Sequence, residues 1–249
     1  MSGHNRWSKI KRQKAAMGAT KGKLYSKLIK ELTVAARLGG GDPSGNARLR
    51  VSMGQAREAN IPRDSIDRAI KKGTGELEGA SYEEVTYEGY GPGGVALIIE
   101  CLTDNRNRSA SDVRNLLSNH GGNLGAEGAV GWMFHKKGVI VVKPGPSEDQ
   151  VMEQALEAGA EDIVDQGPDG FEVRTAPADL HAVGSKLEAA GLSLGEQKWT
   201  FVPQNTVKVE GDNAKRMLKL MDALEDNDDV QHVHANFEID ESLMQSLSA

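Results

Sequence analysis

GVIVVKPGPSEDQVMEQALEAGAEDIVDQGPDGFEVRTAPADLHAVGSKLEAAGLSLGEQKWTFVP, residues 138–203, carries the pattern that decides the fold. The apolar run at 138–143 (GVIVVK) predicts a strand, and a helix is expected near 147–159. Two short strands follow near 161–166 and 171–175, then a helix at about 178–190 and a strand at about 193–202, closed by Pro203. This β-α-β-β-α-β order is the split arrangement of a ferredoxin-like domain.

The flanks supply a second domain in two pieces. Residues 82–90 and 94–103 are strand-like, and Gly91-Pro92-Gly93-Gly94 joins them as a hairpin turn. No Gly-Lys-Ser/Thr follows these glycines and no helix opens on them, which argues against a phosphate loop. The polar loop Thr103-Asp104-Asn105-Arg106-Asn107-Arg108 leads to a helix from about Ser109 to Asn119, with Ser109 or Ser111 as its cap. The glycine-rich segment 121–131 reads as a flexible connection into a strand at 130–135. After Pro203 come a strand at 206–209, a helix at 212–226 and a strand at 230–239. Alone these would form a poor core; added to residues 82–135 they complete an α/β sandwich. The expected domains are thus a helical module at 1–75, a discontinuous α/β domain at 76–135 plus 204–249, and an inserted ferredoxin-like domain at 136–203. The acidic run Glu225-Asp226-Asn227-Asp228-Asp229 reads as a solvated turn.

Charge divides the chain. Residues 1–75 hold 17 basic and 5 acidic side chains, a net of +12, whereas residues 76–249 hold 13 and 31, a net of −18. The first thirty residues contain nine Lys or Arg and no Asp or Glu. A basic head on an acidic body points to a polyanion partner, since clustered cations displace counterions from phosphates. Residues 21–38 predict an amphipathic helix with Leu24, Leu28, Leu32 and Ala35 or Ala36 on its apolar face. Lys23, Lys27, Lys30, Val34 and Arg37 follow another face, and Gly39-Gly40-Gly41 ends the helix. A second helix runs from about Asn46 to Ala59 with Arg48, Arg50 and Arg57 exposed, and a third begins at Pro62 and places Ile66, Ala69 and Ile70 inward. The head is as basic and acid-poor as a transit peptide, but its helical pattern runs on into a packed module. The linker TGELEGAS at 74–81 marks the change of charge.

The side chains expected to hold nucleic acid are Arg6, Trp7, Lys9, Lys11, Arg12, Lys14, Lys21, Lys23, Lys27 and Lys30. Trp7 either stacks on a base or sugar or anchors the segment on its own helices. Asp104, Arg106 and Arg108 form a candidate polar site, or a local salt-bridged turn. The six histidines are scattered; His232 and His234 point to one face of a strand, and no further ligand completes a metal site. No nucleophile–base constellation has a motif behind it, so no catalysis and no cofactor are expected. Aromatic residues make up 4% of the chain, which argues against extensive base stacking. The single Cys101 lies in an apolar run and reads as a small buried hydrophobe, in keeping with a reducing compartment. No apolar run reaches membrane-spanning length.

The chain resembles the YebC family of bacterial regulators and their mitochondrial translational-activator relatives. The resemblance spans the whole chain. Its carriers are GHNRWSKIKRQKAA near the start, KGKLYSKLIKELTVAARLGGGDP, NARLRVSMGQAREANIPRDSIDRAIKKGTG, YEGYGPGGVALIIECLTDNRNRSASDVR, GGNLGAEGAVGWMF and DVQHVHANFEI. Asn5-Arg6 and Arg12-Gln13 depart slightly from the usual pattern at the start. The resemblance implies an α+β protein, with an N-terminal helical module followed by two α/β domains, and a role in gene expression. Its expected partners are DNA, ribosomal RNA or the ribosome, in a monomeric cytoplasmic protein. Sequence-tolerant phosphate recognition suits a ribosome-associated translation factor; the alternatives are a DNA-binding transcriptional regulator and a protein-interaction module built on the acidic domains.

Overall fold

The computed structural model describes residues 21–240. Three helices make the head: α1 (Lys21–Gly39), α2 (Ala47–Glu58) and α3 (Arg63–Gly73). Their core joins Leu28, Leu32, Ala35 and Ala36 of α1 to Leu49 and Ala56 of α2, to Ile61, and to Ile66 and Ala69 of α3. Leu24, expected in that stripe, is exposed. Asn46 fastens the corner. Its side-chain oxygen accepts from the Leu49 amide, capping α2, while its amide nitrogen donates to the carbonyls of Ala35 and Gly40 at the end of α1, all within 3.0 Å. Gly73 lies against the backbone of Thr33 and the side chain of Ala36, so α1 and α3 approach where no Cβ fits.

The next sheet has the order β3-β1-β2-β9, with every pairing antiparallel. It is built from β1 (Glu83–Gly91), β2 (Val95–Thr103), β3 (Asn123–Leu124) and β9 (Val230–Ala235). Strand β2 is buried nearly throughout, as a central strand with both faces covered must be. One face packs on α4 (Arg106–Asn119) and α7 (Gly211–Glu225) through Leu97, Ile99, Val113, Leu117, Met217 and Met221. The spatial arrangement is ferredoxin-like, but the β1–β2 hairpin comes first along the chain. Helix α4 starts three residues before Ser109, because Asn105 and not a serine accepts from the Arg108 amide as its cap. The segment 121–131 is tied down rather than loose. The Glu88 carboxylate accepts from the backbone amides of Gly128, Val130 and Gly131 at 2.9, 2.6 and 2.7 Å. The expected strand at 230–239 is broken at Asn236. Its side chain accepts from the Ala96 amide and donates to the Asn205 carbonyl, so β10 (Phe237–Glu238) leaves β2 and pairs in parallel with β8 (Val207–Lys208).

The last sheet has the order β5-β6-β4-β7, again antiparallel. It comprises β4 (Phe134–Val142), β5 (Asp162–Asp165), β6 (Phe171–Thr175) and β7 (Leu194–Pro203). The separate strands expected at 130–135 and 138–143 are one: β4 runs unbroken from Phe134, because β7 pairs along it from Phe134 to Val142. Helices α5 (Glu148–Ala158) and α6 (Leu180–Ala189) cover one face through Ile140, Val142, Val151, Ala155, Val173, Val183 and Leu187. At the root of this sheet Phe134 and Phe201 pack against Ala96 and Ile98 of β2 and so join the two sheets. Entry and exit of the segment lie side by side, with the Gln204 amide donating to the Met133 carbonyl at 2.9 Å.

Candidate nucleic-acid interface

Arg6, Trp7, Lys9, Lys11, Arg12 and Lys14 lie outside the described residues, and Lys21 opens α1. The remaining expected phosphate contacts, Lys23, Lys27 and Lys30, turn towards the acidic body. Lys23 Nζ lies 3.2 Å from Asp226 Oδ2. Lys27 Nζ donates to the Glu225 carbonyl at 2.6 Å, and Lys30 Nζ donates to the Asp228 carbonyl at 2.9 Å and to Asp229 Oδ1 at 2.7 Å. The rest of the same helical face is occupied too. Val34 is buried, and Arg37 donates to Ser81 Oγ. This face of α1 is therefore an interface with the body, and the acidic run is a solvated turn only in part: Asp226 and Asp228 are exposed, but Asp229 is 4% exposed. Val34, an apolar residue in line with three lysines, was the sequence signal of a covered face.

The candidate polar site joins the same network. Arg108 Nη2 bridges Asp104 Oδ1 at 2.7 Å and Asp229 Oδ2 at 2.8 Å, and Thr103 Oγ1 donates to Asp229 Oδ2. Arg106 stands apart, 3.9 Å from Glu83. Lys30 also lies over the Tyr82 ring, 5.5 Å from its centroid. Burial alone would raise the Asp229 carboxyl, but hydrogen bonds from Lys30 and Arg108 outweigh it and hold the group below its ordinary value. The positions of Lys27 and Lys30 follow from helix electrostatics: they donate to carbonyls at the C-terminal end of α7 and in the turn beyond it, where a helix favours cations. Arg48, expected to be exposed, forms a second tie. It pairs with Glu31 of α1 at 2.6 Å and with Glu84 of β1 at 2.7 Å.

The head keeps other cations for solvent. Arg50 and Arg57 lie two turns apart on the outer side of α2, and Arg68, Lys71 and Lys72 are exposed on α3. Arg57, Arg68, Lys71 and Lys72 make no ion pair with any described residue. Periodicity alone could have found them, because the buried Ile66 and Ala69 put Arg68 and Lys71 on the far side of α3. Elsewhere, His234 Nε2 lies 2.8 Å from Glu100 Oε2, and the rings of His232 and His234 are 6.3 Å apart. Among the described residues no group of three or more His, Cys, Asp or Glu is placed to hold a metal ion, and no helix is long and apolar enough to cross a membrane.

Comparison with known proteins gives this arrangement a family. Residues 5–76 match the TACO1/YebC protein N-terminal domain, and residues 82–237 match the TACO1/YebC second and third domain. A probable transcriptional regulatory protein of Myxococcus xanthus is 71% identical over 99% of both chains. Another, from Geobacter sulfurreducens, is 54% identical over 99% of this chain and all of its own length. A conserved hypothetical protein of Aquifex aeolicus, known from its crystal structure, is 48% identical with a TM-score of 0.79, covering 90% of this chain and 92% of that one. The chain belongs to the TACO1/YebC family.

Proposed function

We propose that this protein is a nucleic-acid-binding regulator of gene expression that grips phosphate backbone through its basic head and acts on the ribosome or another structured RNA. The observation that supports this is the division of charge. The net +12 of residues 1–75 includes exposed arginines and lysines of α2 and α3 without acidic partners among the described residues, beside a body of net −18. The contacts are Lys9, Lys11, Arg12 and Lys14 together with Arg57, Arg68, Lys71 and Lys72. Most of these are lysines, which suit point-charge phosphate contact better than bidentate reading of base edges. Shape and phosphate geometry dominate the recognition of folded RNA. A second reading, promoter DNA, is favoured by the name transcriptional regulatory protein carried by the relatives.

Replacing Lys9, Lys11, Arg12 and Lys14 by Ala should weaken binding to unrelated sequences alike. It should also flatten the dependence of log K on log salt by about 0.7–0.9 for each phosphate that is no longer neutralised. An unchanged slope refutes the basic-head reading. Sedimentation with ribosomes at near-physiological salt, set against a promoter preference over random DNA above about 10³, decides between the two targets.

A further inference from the structure

We infer that the acidic turn after α7 stands in for a polyanion on α1, so that a phosphate backbone taking the Lys23–Lys27–Lys30 face displaces this turn and releases the head from the body. The inference rests on the proposal that the head binds nucleic acid. It adds that the described face of α1 is already occupied in the free protein, and that its occupation is regulated from within the chain.

Three features make the turn an internal competitor. The first is geometric. Lys23, Lys27 and Lys30 recur at helical spacing of four and three residues, about 6 and 4.5 Å apart along the axis. Each ammonium meets a separate acceptor on one turn: Asp226 Oδ2, the Glu225 carbonyl, and Asp229 Oδ1 with the Asp228 carbonyl. A row of oxygen acceptors, carboxylates at both ends and carbonyls between, stands opposite the row of ammonium groups much as the oxygens of a phosphate backbone would.

The second is charge. Residues 21–30 contain no Asp or Glu, and Glu31, the next carboxylate along α1, is paired with Arg48. The lysines of this face therefore take their counter-charge from outside the helix, and the turn and a phosphate meet the same need. The third is grading. The Lys23–Asp226 pair is about half exposed on both sides, at 44% and 52%, whereas Lys30 and Asp229 are 14% and 6% exposed. A polyanion can therefore compete first at the open Lys23 end and then work inward. The outward cations of α2 and α3 give it a first foothold that displaces nothing.

The test uses the full chain and a fluorescein-labelled random-sequence single-stranded RNA, read by anisotropy at fixed salt. Asp226→Asn removes the exposed competitor and leaves Asp229 in place. Glu188→Gln makes the same charge change on the exposed side of α6. Asp226→Asn should tighten binding by about two- to five-fold, the weight of one exposed ion pair, with Glu188→Gln unchanged. In parallel, spin labels on Gln55→Cys of α2 and Asn119→Cys of α4 report the head–body distance, which should lengthen at saturating RNA. Equal tightening by both variants, binding indifferent to Asp226→Asn, or an unchanged distance at saturation overturns the inference while leaving head binding intact. No binding by the unaltered chain at low salt overturns the head-binding proposal, and the inference falls with it.

Discussion

Replacing Asp229 with Ala should be among the most damaging single changes in the chain. The side chain is 6% exposed and takes three hydrogen bonds: from Lys30 at 2.7 Å, from Arg108 at 2.8 Å and from Thr103 at 3.1 Å. Hydrogen bonds to a charged group contribute about 1.5–3 kcal/mol each when buried, but Arg108 is half exposed and its share is screened. Removal also leaves the largely buried Lys30 ammonium facing Arg108 without a counter-charge. We expect a loss of about 3 kcal/mol, seen in thermal unfolding as a fall of roughly 6–12 °C for a chain of this length. A double-mutant cycle with Lys30→Ala should return a coupling of about 1–2 kcal/mol. The pH dependence follows from the depressed carboxyl. Its stabilisation is complete above the unfolded value near ~3.9 and is lost as pH falls through the lower native value. The gap between wild type and variant should therefore be flat from neutrality to about pH 5 and close in more acidic solution. A fall under about 2 °C, or a cycle that closes to zero, would show that the turn is only a surface feature.

Three further outcomes are expected. Glu88→Gln should cost about 2 kcal/mol, because the amide offers the loop at 128–131 one neutral acceptor in place of a carboxylate; faster amide hydrogen exchange at Val130 and Gly131 would locate the effect. The Cys101 thiol, pushed up to about 12 mainly by burial, should resist a thiol reagent at pH 8 until β2 unfolds; modification of the native protein at the rate of a free thiol would contradict its burial. Excising 134–203 and joining Met133 to Gln204 by a short Gly/Ser linker should leave the β3-β1-β2-β9 sheet folded, provided Ala96 and Ile98, stripped of Phe134 and Phe201, are made polar. A remainder without native β-sheet circular dichroism would show that the joint at Phe134 and Phe201 is indispensable.

Much of the fold can be read from the chain because its elements announce their own ends. The order across 138–203 is legible from turn residues between apolar runs, and α2 from the capping Asn46. What escapes such reading depends on partners far away in sequence. Lys27 and Glu225 are 198 positions apart, so beyond the hint of Val34 no local pattern shows what covers the cationic face of α1. The same holds for Arg48, whose position on α2 looks solvent-facing until Glu84 of β1 is brought beside it. The break at Asn236 is hidden because a strand pattern runs through it; only the Ala96 amide on β2 explains why the side chain replaces the ladder there. Glu88 looks like an ordinary strand residue, since its role is to accept three amides about 40 positions later. For the interface itself, a basic head is plain in the sequence and periodicity turns Arg68 and Lys71 outward, but nothing local matches Lys23, Lys27 and Lys30 to Asp226–Asp229.

The pairing of α1 with the turn after α7 also sets an order of events during synthesis. At about 5–20 residues per second, the acceptors of Lys27 and Lys30 are made some 10–40 s after the lysines themselves. Strand β9, which flanks the central strand β2, is translated immediately after that turn, so the neighbouring sheet and the seat of the head are completed together and late. For most of its time on the translating ribosome the nascent chain thus presents Lys23, Lys27 and Lys30 without the carboxylates and carbonyls that hold them in the finished protein.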